Sequence, residues 1–133
     1  MARILIIDDD PDIVFAVRLT LQNAGHEVFD ANAGEKGLRM LPEVRPDLII
    51  LDVMMGTTTE GFQVALKLRS LDPASPLRAY SHIPILMLTA LHSTTDLRFA
   101  PDEDYLPVDV FVDKPIDPDD LVKKVNGLLV KTS

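Results

Sequence analysis

The sequence contains no cysteine, which excludes a disulfide framework, thiolate metal ligands and a thiolate nucleophile. It also has no apolar run approaching the roughly 18 to 20 residues that a membrane-spanning helix needs. Basic residues are few, because 13 Lys and Arg stand against 21 Asp and Glu, for a net charge of −8. A nucleic-acid surface needs clustered Lys and Arg to neutralise phosphates, so we expect no direct nucleic-acid binding.

What the sequence does contain indicates one folded domain. Its 133 residues, of which 47% are hydrophobic, are enough to close a core without disulfides, and they argue against disorder. The first apolar residues soon meet three aspartates, which is not the pattern of a signal peptide. We therefore expect a single domain over residues 1–133, located in the cytoplasm and not associated with a membrane.

Short apolar runs predict the strands. Four of them cover residues 4–7, 48–51, 85–88 and 110–112. None alternates polar with apolar residues, and runs that are apolar on both faces suit a parallel sheet covered by helices. Residues 26–31 are more mixed and predict an edge strand.

Helical patterns fill the gaps between these strands. They cover residues 11–25, 34–44 and 62–71, and a last one begins at residue 118. Asp10-Pro11 and Asp117-Pro118 open the first and the last, because Asp caps a helix and Pro suits its first turn.

The segment over residues 91–109 departs from this regularity. Pro101 and Pro107 interrupt it and three acids cluster at residues 102–104, so we expect a short or irregular fourth helix. The alternation of strands and helices requires right-handed crossovers and an open parallel sheet. We therefore predict an α/β, flavodoxin-like doubly wound fold whose five strands take the order 2-1-3-4-5.

Polar residues follow the predicted strands at their carboxyl ends, where such sheets bind ligands. Asp8 and Asp9 follow the first strand and Asp52 follows the third. The order 2-1-3 makes these strands neighbours about 4.8 Å apart, so the three carboxylates should crowd together. Thr89 and Lys114 follow the fourth and fifth strands and should approach the same point.

This set of residues suits phosphoryl transfer. Crowded carboxylates repel one another unless a cation joins them, and oxygen ligands alone favour a hard cation, Mg²⁺ by preference. Asp52 would attack phosphorus, the metal and Lys114 would neutralise the equatorial oxygens, and Thr89 would donate a hydrogen bond to one of them.

Four segments resemble the receiver (CheY-like) domains of two-component response regulators. They are Ile-Leu-Ile-Ile-Asp-Asp-Asp-Pro over residues 4–11, Pro-Asp-Leu-Ile-Ile-Leu-Asp-Val-Met-Met over 46–55, Leu-Thr-Ala over 88–90 and Val-Asp-Lys-Pro over 112–115. Any one segment is weak evidence, but all four occur in order and each closes a predicted strand. The resemblance covers essentially the whole chain.

The resemblance implies a role for each matching residue. Asp52 would be the phospho-acceptor, and Mg²⁺ would be bound by Asp8, Asp9, Asp52 and the Met54 backbone carbonyl. Lys114 would contact the phosphate, and Thr89 and Phe111 would form the switch pair. The phosphoryl donor would be a histidine kinase or a phosphotransfer protein.

We therefore expect a stand-alone receiver with no fused output domain. It would be a signalling domain rather than an enzyme, assisting only its own phosphorylation and dephosphorylation. It would switch a surface that binds an unknown downstream protein, as a monomer or a phosphorylation-dependent dimer.

Two alternatives stay open. One is a receiver-fold module that binds protein without being phosphorylated, which the irregular segment over residues 91–109 mildly favours. The other is a flavodoxin-like enzyme or nucleotide binder. That class needs a glycine-rich phosphate loop after the first strand, where this chain has three aspartates and a proline.

Overall fold

Strands and helices alternate along the chain. The computed structural model describes residues 2–52, 60–70, 74–75, 77–89, 109–113 and 116–132, with the main chain alone at 60, 62, 89, 113, 131 and 132. The elements are β1 (Arg3–Ile7), α1 (Pro11–Asn23), β2 (Glu27–Ala31), α2 (Gly34–Val44), β3 (Leu48–Asp52), α3 (Glu60–Leu68), β4 (Ile85–Thr89), β5 (Val110–Asp113) and α4 (Pro118–Thr132). A 3-10 helix of three residues, Arg78–Tyr80, precedes β4.

The strands form one sheet in the order β2-β1-β3-β4-β5, and every neighbouring pair is parallel. The predicted fold class and strand order are therefore confirmed. The predicted short or irregular fourth helix falls on residues 91–109, which apart from Asp109 lie outside the described residues.

Side chains of the central strands pack on both faces of the sheet. In β1, Leu5 and Ile7 join a cluster with residues of α2 and α3. Ile4 and Ile6 join a second cluster with residues of α1 and α4 on the opposite face. All four are fully buried, which explains why the strand sequences are apolar without alternation.

The predicted helix starts are confirmed at both ends of the chain. The Asp10 carboxylate accepts a hydrogen bond from the Asp12 amide at 2.9 Å, and the Asp117 carboxylate accepts one from the Asp119 amide at 3.1 Å. Each bond satisfies an amide that the first helical turn leaves without an intrahelical acceptor. The third helix differs from its predicted span of 62–71, since it begins at Glu60 and ends at Leu68.

Arg69, the residue after α3, ties this end of the helix to β4 and β5. Its guanidinium donates to the carbonyls of Ser81 and Ile83 at 2.8 and 2.6 Å and to the Asp109 carboxylate at 2.7 Å. The same carboxylate oxygen accepts from the Ile85 amide at 2.7 Å. Burial lowers the pKa of the Arg69 guanidinium from its ordinary value, and the neighbouring Asp109 carboxylate acts in the opposite direction.

The residue that follows helix α2 is strained. Arg45 adopts a left-handed conformation with φ 48° and ψ 62°, and its amide donates to the Leu41 carbonyl at 2.9 Å. A side chain in this conformation brings Cβ close to the following carbonyl oxygen, which glycine avoids. The turn that leads from α2 into β3 therefore contains local strain.

Replacing Arg45 by glycine should raise the free energy of unfolding by up to about 1 kcal/mol, because relief of the left-handed strain outweighs the greater freedom of the unfolded chain. Urea denaturation of both proteins measures the difference. Arg45→Ala is the control, because it removes the exposed side chain but keeps Cβ. Equal stability changes in the two variants would contradict the strain at this position.

Candidate functional site

Two buried aspartates lie next to each other at the carboxyl edge of the sheet. Ile7 of β1 pairs with Leu51 of β3, so the residues that follow them, Asp8 and Asp52, are neighbours. Asp8 is 1% exposed and Asp52 is 5% exposed, and they are the buried charged residues of the described part of the chain. Buried carboxylates are unusual unless charge compensation is provided.

Asp9 completes a cluster of three. Carboxylate oxygens of Asp8, Asp9 and Asp52 all lie within 4.8 Å of one another. Asp9 is exposed, so the cluster opens to solvent on its side. The predicted crowding of these three carboxylates is therefore confirmed.

The turn between β1 and α1 holds Asp8 from two directions. Its amide donates to the Ala31 carbonyl of β2 at 3.1 Å, and its Oδ1 accepts from the Asp10 amide at 2.9 Å. Asp10 is itself held as the N-cap of α1, because its carbonyl accepts from the Val14 amide at 3.0 Å. The cap predicted at Asp10 thus also orients the acid two residues before it.

The three acids fit a hard divalent cation. Oxygens bound to one Mg²⁺ at about 2.1 Å lie at most about 4.2 Å apart. The spread of 4.8 Å closes to that distance with a small movement of a side chain, and the Asp9 carboxylate, which is exposed, can move most easily. Three carboxylates match the preference of Mg²⁺ for oxygen ligands.

Thr89 is the last residue of β4 and pairs with Asp113 of β5. Asp52 pairs with Leu88, which places the Thr89 main chain one residue further along the edge where the three acids lie. The Thr89 side chain, Lys114 and Met54 fall outside what the structure describes, so their roles stay predictions.

Phe111 of β5 is 8% exposed and belongs to the core cluster that contains Ile85 and Met87. It pairs with Met87 of β4, so its side chain lies on the same face of the sheet as that cluster. A switching role for Phe111 stays a prediction.

A cavity of about 380 Å³ adjoins the acids on the β2 side. Phe15, Arg18 and Asn32 line it together with Asp8 and Asp9. Arg18 forms an ion pair with Asp30 on its wall and donates to the Val28 carbonyl at 3.2 Å. The sequence alone does not indicate this cavity. Its lining residues come from different elements, and the packing of α1 beside β2 brings them together.

Comparison with known proteins agrees with this geometry. Residues 4–126 match the family model of the response regulator receiver domain. The chain belongs to this family. Receiver domains are signalling domains rather than enzymes. The general function of the chain is therefore phosphorylation-based signalling.

The relatives differ in how much of their own length this chain matches. The chain is 38% identical over 132 residues to the DNA-binding dual master transcriptional regulator RpaA of Synechocystis sp., covering 99% of this chain but 51% of RpaA. It is 31% identical to Protein PilH of Pseudomonas aeruginosa, covering 97% of this chain and 98% of PilH. This receiver thus spans about half the length of RpaA and nearly all of PilH.

A solved structure gives the same result. The chemotaxis response regulator CheY4 of Vibrio cholerae superposes with a TM-score of 0.75 at 31% identity, over 96% of this chain and 98% of CheY4.

Among the helices that the structure describes, none is long and apolar enough to cross a membrane.

Removing one acid from the cluster should weaken Mg²⁺ binding. We expect Asp9→Asn to lower the affinity by about tenfold or more, since even groups behind the ligands change metal affinity by roughly 10- to 100-fold. Isothermal titration with MgCl₂ measures the dissociation constant.

Asp10→Asn is the matched control, because it makes the same charge change one residue later at an exposed position outside the cluster. Asn caps a helix about as well as Asp, so α1 should remain intact. Equal losses of affinity in the two variants would show that general acidity, and not this cluster, attracts the ion.

Proposed function

We propose that this receiver accepts a phosphoryl group on Asp52 in a Mg²⁺-dependent reaction and thereby switches a protein-binding surface. The observation that carries the proposal is the cluster of Asp8, Asp9 and Asp52 within 4.8 Å at the carboxyl edge of the sheet. This edge between β1 and β3 is where the strand order reverses, the point at which doubly wound sheets bind ligands.

The chemistry assigns the attack on phosphorus to Asp52 and metal binding to all three acids. An Asp52 carboxylate oxygen forms a bond to phosphorus, and the bond between phosphorus and the donor's leaving atom breaks. The leaving atom keeps that electron pair and takes a proton from solvent. Mg²⁺ held by Asp8, Asp9 and Asp52, with the Met54 carbonyl as a further proposed ligand, would supply positive charge for the phosphoryl oxygens.

Asp52 suits the role of nucleophile because its place is fixed. It is nearly fully buried at the end of a strand that pairs on both sides. Such fixation lowers the entropic part of the barrier to attack. In the proposal, Lys114 and Thr89 contact the transferred group, and Thr89 and Phe111 carry the change to the output surface.

The donor that we propose is a histidine kinase or a phosphotransfer protein, and α1 offers it a surface. Phe15 and Leu19 lie one turn apart on this helix and are 67% and 49% exposed. Phe15 also lines the cavity beside Asp8 and Asp9. An apolar contact next to the acids would bring the donor's phosphoryl group toward Asp52.

Several finer expectations stay predictions. They concern the downstream partner, the oligomeric state, the cytoplasmic location and the absence of direct nucleic-acid binding. The expectation of a stand-alone receiver also stays a prediction, since the chain covers nearly all of PilH but about half of RpaA. The competing function, protein binding without phosphorylation, would not need three carboxylates in one cluster.

Incubation with Mg²⁺ and acetyl phosphate should add one phosphate to the wild-type chain, as measured by intact mass. Asp52→Asn should abolish the adduct, because the amide is a far weaker nucleophile than the carboxylate. An adduct that persists in Asp52→Asn would place the acceptor elsewhere. No adduct with acetyl phosphate or other small donors would favour the function without phosphorylation.

A double substitution of Phe15 and Leu19 by serine should slow phosphotransfer from a histidine kinase that labels the wild-type chain. We expect a loss of about tenfold, which corresponds to the removal of about 1.4 kcal/mol of apolar contact. The rate with acetyl phosphate should not change, since neither residue belongs to the acidic cluster.

Val130→Ser is the matched control for this experiment. Val130 is 73% exposed on α4. Val130 lies about one helical turn after Asn126. The Asn126 side chain contacts His26, just before β2, so this end of α4 lies toward the edge of the sheet opposite the acids. A similar loss of kinase-dependent rate in Val130→Ser would argue against docking on α1.

A further inference from the structure

Helix α2 touches β1 at a glycine. A Cβ atom placed on Gly37 would lie 2.4 Å from Ile7 Cδ1 and 2.7 Å from Ile7 Cγ1. Both distances are far below van der Waals contact, so the backbone of α2 rests directly on the Ile7 side chain. The same Cβ would lie 3.6 Å from Ala31 Cβ, an ordinary contact.

The two residues that Gly37 faces are the ones that hold Asp8. Ile7 precedes Asp8 in the chain, and the Ala31 carbonyl accepts the Asp8 amide at 3.1 Å. Ile7 and Ala31 also pair across β1 and β2. Ile7, Asp8 and Ala31 are all buried, so a displacement of Ile7 cannot be absorbed by movement into solvent.

Alanine would suit a helix interior better than glycine, because glycine loses more backbone freedom on folding. Gly37 is the fourth residue of α2, and its amide makes a helical hydrogen bond to the Ala33 carbonyl at 3.0 Å. Its φ is therefore ordinary for a helix, and the helix needs no glycine here for its own geometry. The close approach to Ile7 is what the missing side chain permits.

We infer that Gly37 is a positioning residue for the acidic site. It lets α2 pack against Ile7 so that the end of β1 places the Asp8 carboxylate beside Asp9 and Asp52. Its role in phosphoryl acceptance rests on the proposed function, but its effect on cation binding can be measured separately.

The test compares the Mg²⁺ affinity of Gly37→Ala with that of the wild-type chain, using titration calorimetry with MgCl₂. We expect the affinity to fall by about tenfold, at the low end of the effects of groups that orient metal ligands. Gly127→Ala in α4 is the matched control, since a Cβ there meets nothing within 4 Å. Its affinity should stay within about twofold of wild type, because Gly127 does not contact the site.

A second substitution separates positioning from loss of stability. Ile7→Val removes Cδ1, the atom nearest to the added Cβ, so it should restore part of the affinity that Gly37→Ala loses. Urea denaturation of each variant reports stability in parallel. If Gly37→Ala alone fails to fold, the Ile7→Val/Gly37→Ala double variant is compared with Ile7→Val instead. In that background the added alanine should weaken Mg²⁺ binding by less than tenfold.

Each outcome decides the inference. Unchanged Mg²⁺ affinity in a folded Gly37→Ala variant overturns it, even if stability falls. A loss that Ile7→Val does not reduce also overturns it, because the effect would then not pass through the Ile7 contact. A wild-type chain that binds no Mg²⁺ would overturn both the inference and the proposed function, whereas wild-type binding with an unaltered variant overturns the inference alone.

Discussion

The parallel pairing of β1 with β3 is the constraint on which the site depends. Its register sets Ile7 against Leu51, so that Asp8 and Asp52 leave the sheet side by side. A slip of one residue would move each side chain to the opposite face and separate the two acids. Apolar side chains buried on both faces hold this register, because none of them could reach solvent without loss of the core.

Two helices complete what the sheet begins. At its N-terminus α1 supplies the Asp10 amide that binds Asp8, and α2 packs through Gly37 against Ile7 and Ala31. Asp8 is therefore held by packed backbone rather than by flexible side chains. This matters because like charges held together in a buried place repel one another, and such an arrangement persists only where the surrounding fold enforces it or a cation neutralises it.

The positions of Asp8, Asp9 and Asp52 could be predicted because a parallel sheet has a simple rule. Each buried strand is a continuous apolar run, and the first polar residue after it lies at the binding edge. Gly37 and the Arg18–Asp30 pair could not be found in this way, since they depend on how closely a helix packs and on which element lies opposite. The span of α3 was predicted wrongly, because an apolar pattern marks a helix face better than it marks its ends.

The central claim is that the same cluster of acids binds the cation and contains the phospho-acceptor. The most direct test measures the rate of phosphate incorporation as a function of Mg²⁺ concentration and compares it with the Mg²⁺ binding curve of the same protein. The account predicts that both saturate at the same concentration and that chelation of the metal stops incorporation. Incorporation at an equal rate without Mg²⁺, or saturation far from the binding curve, would contradict it.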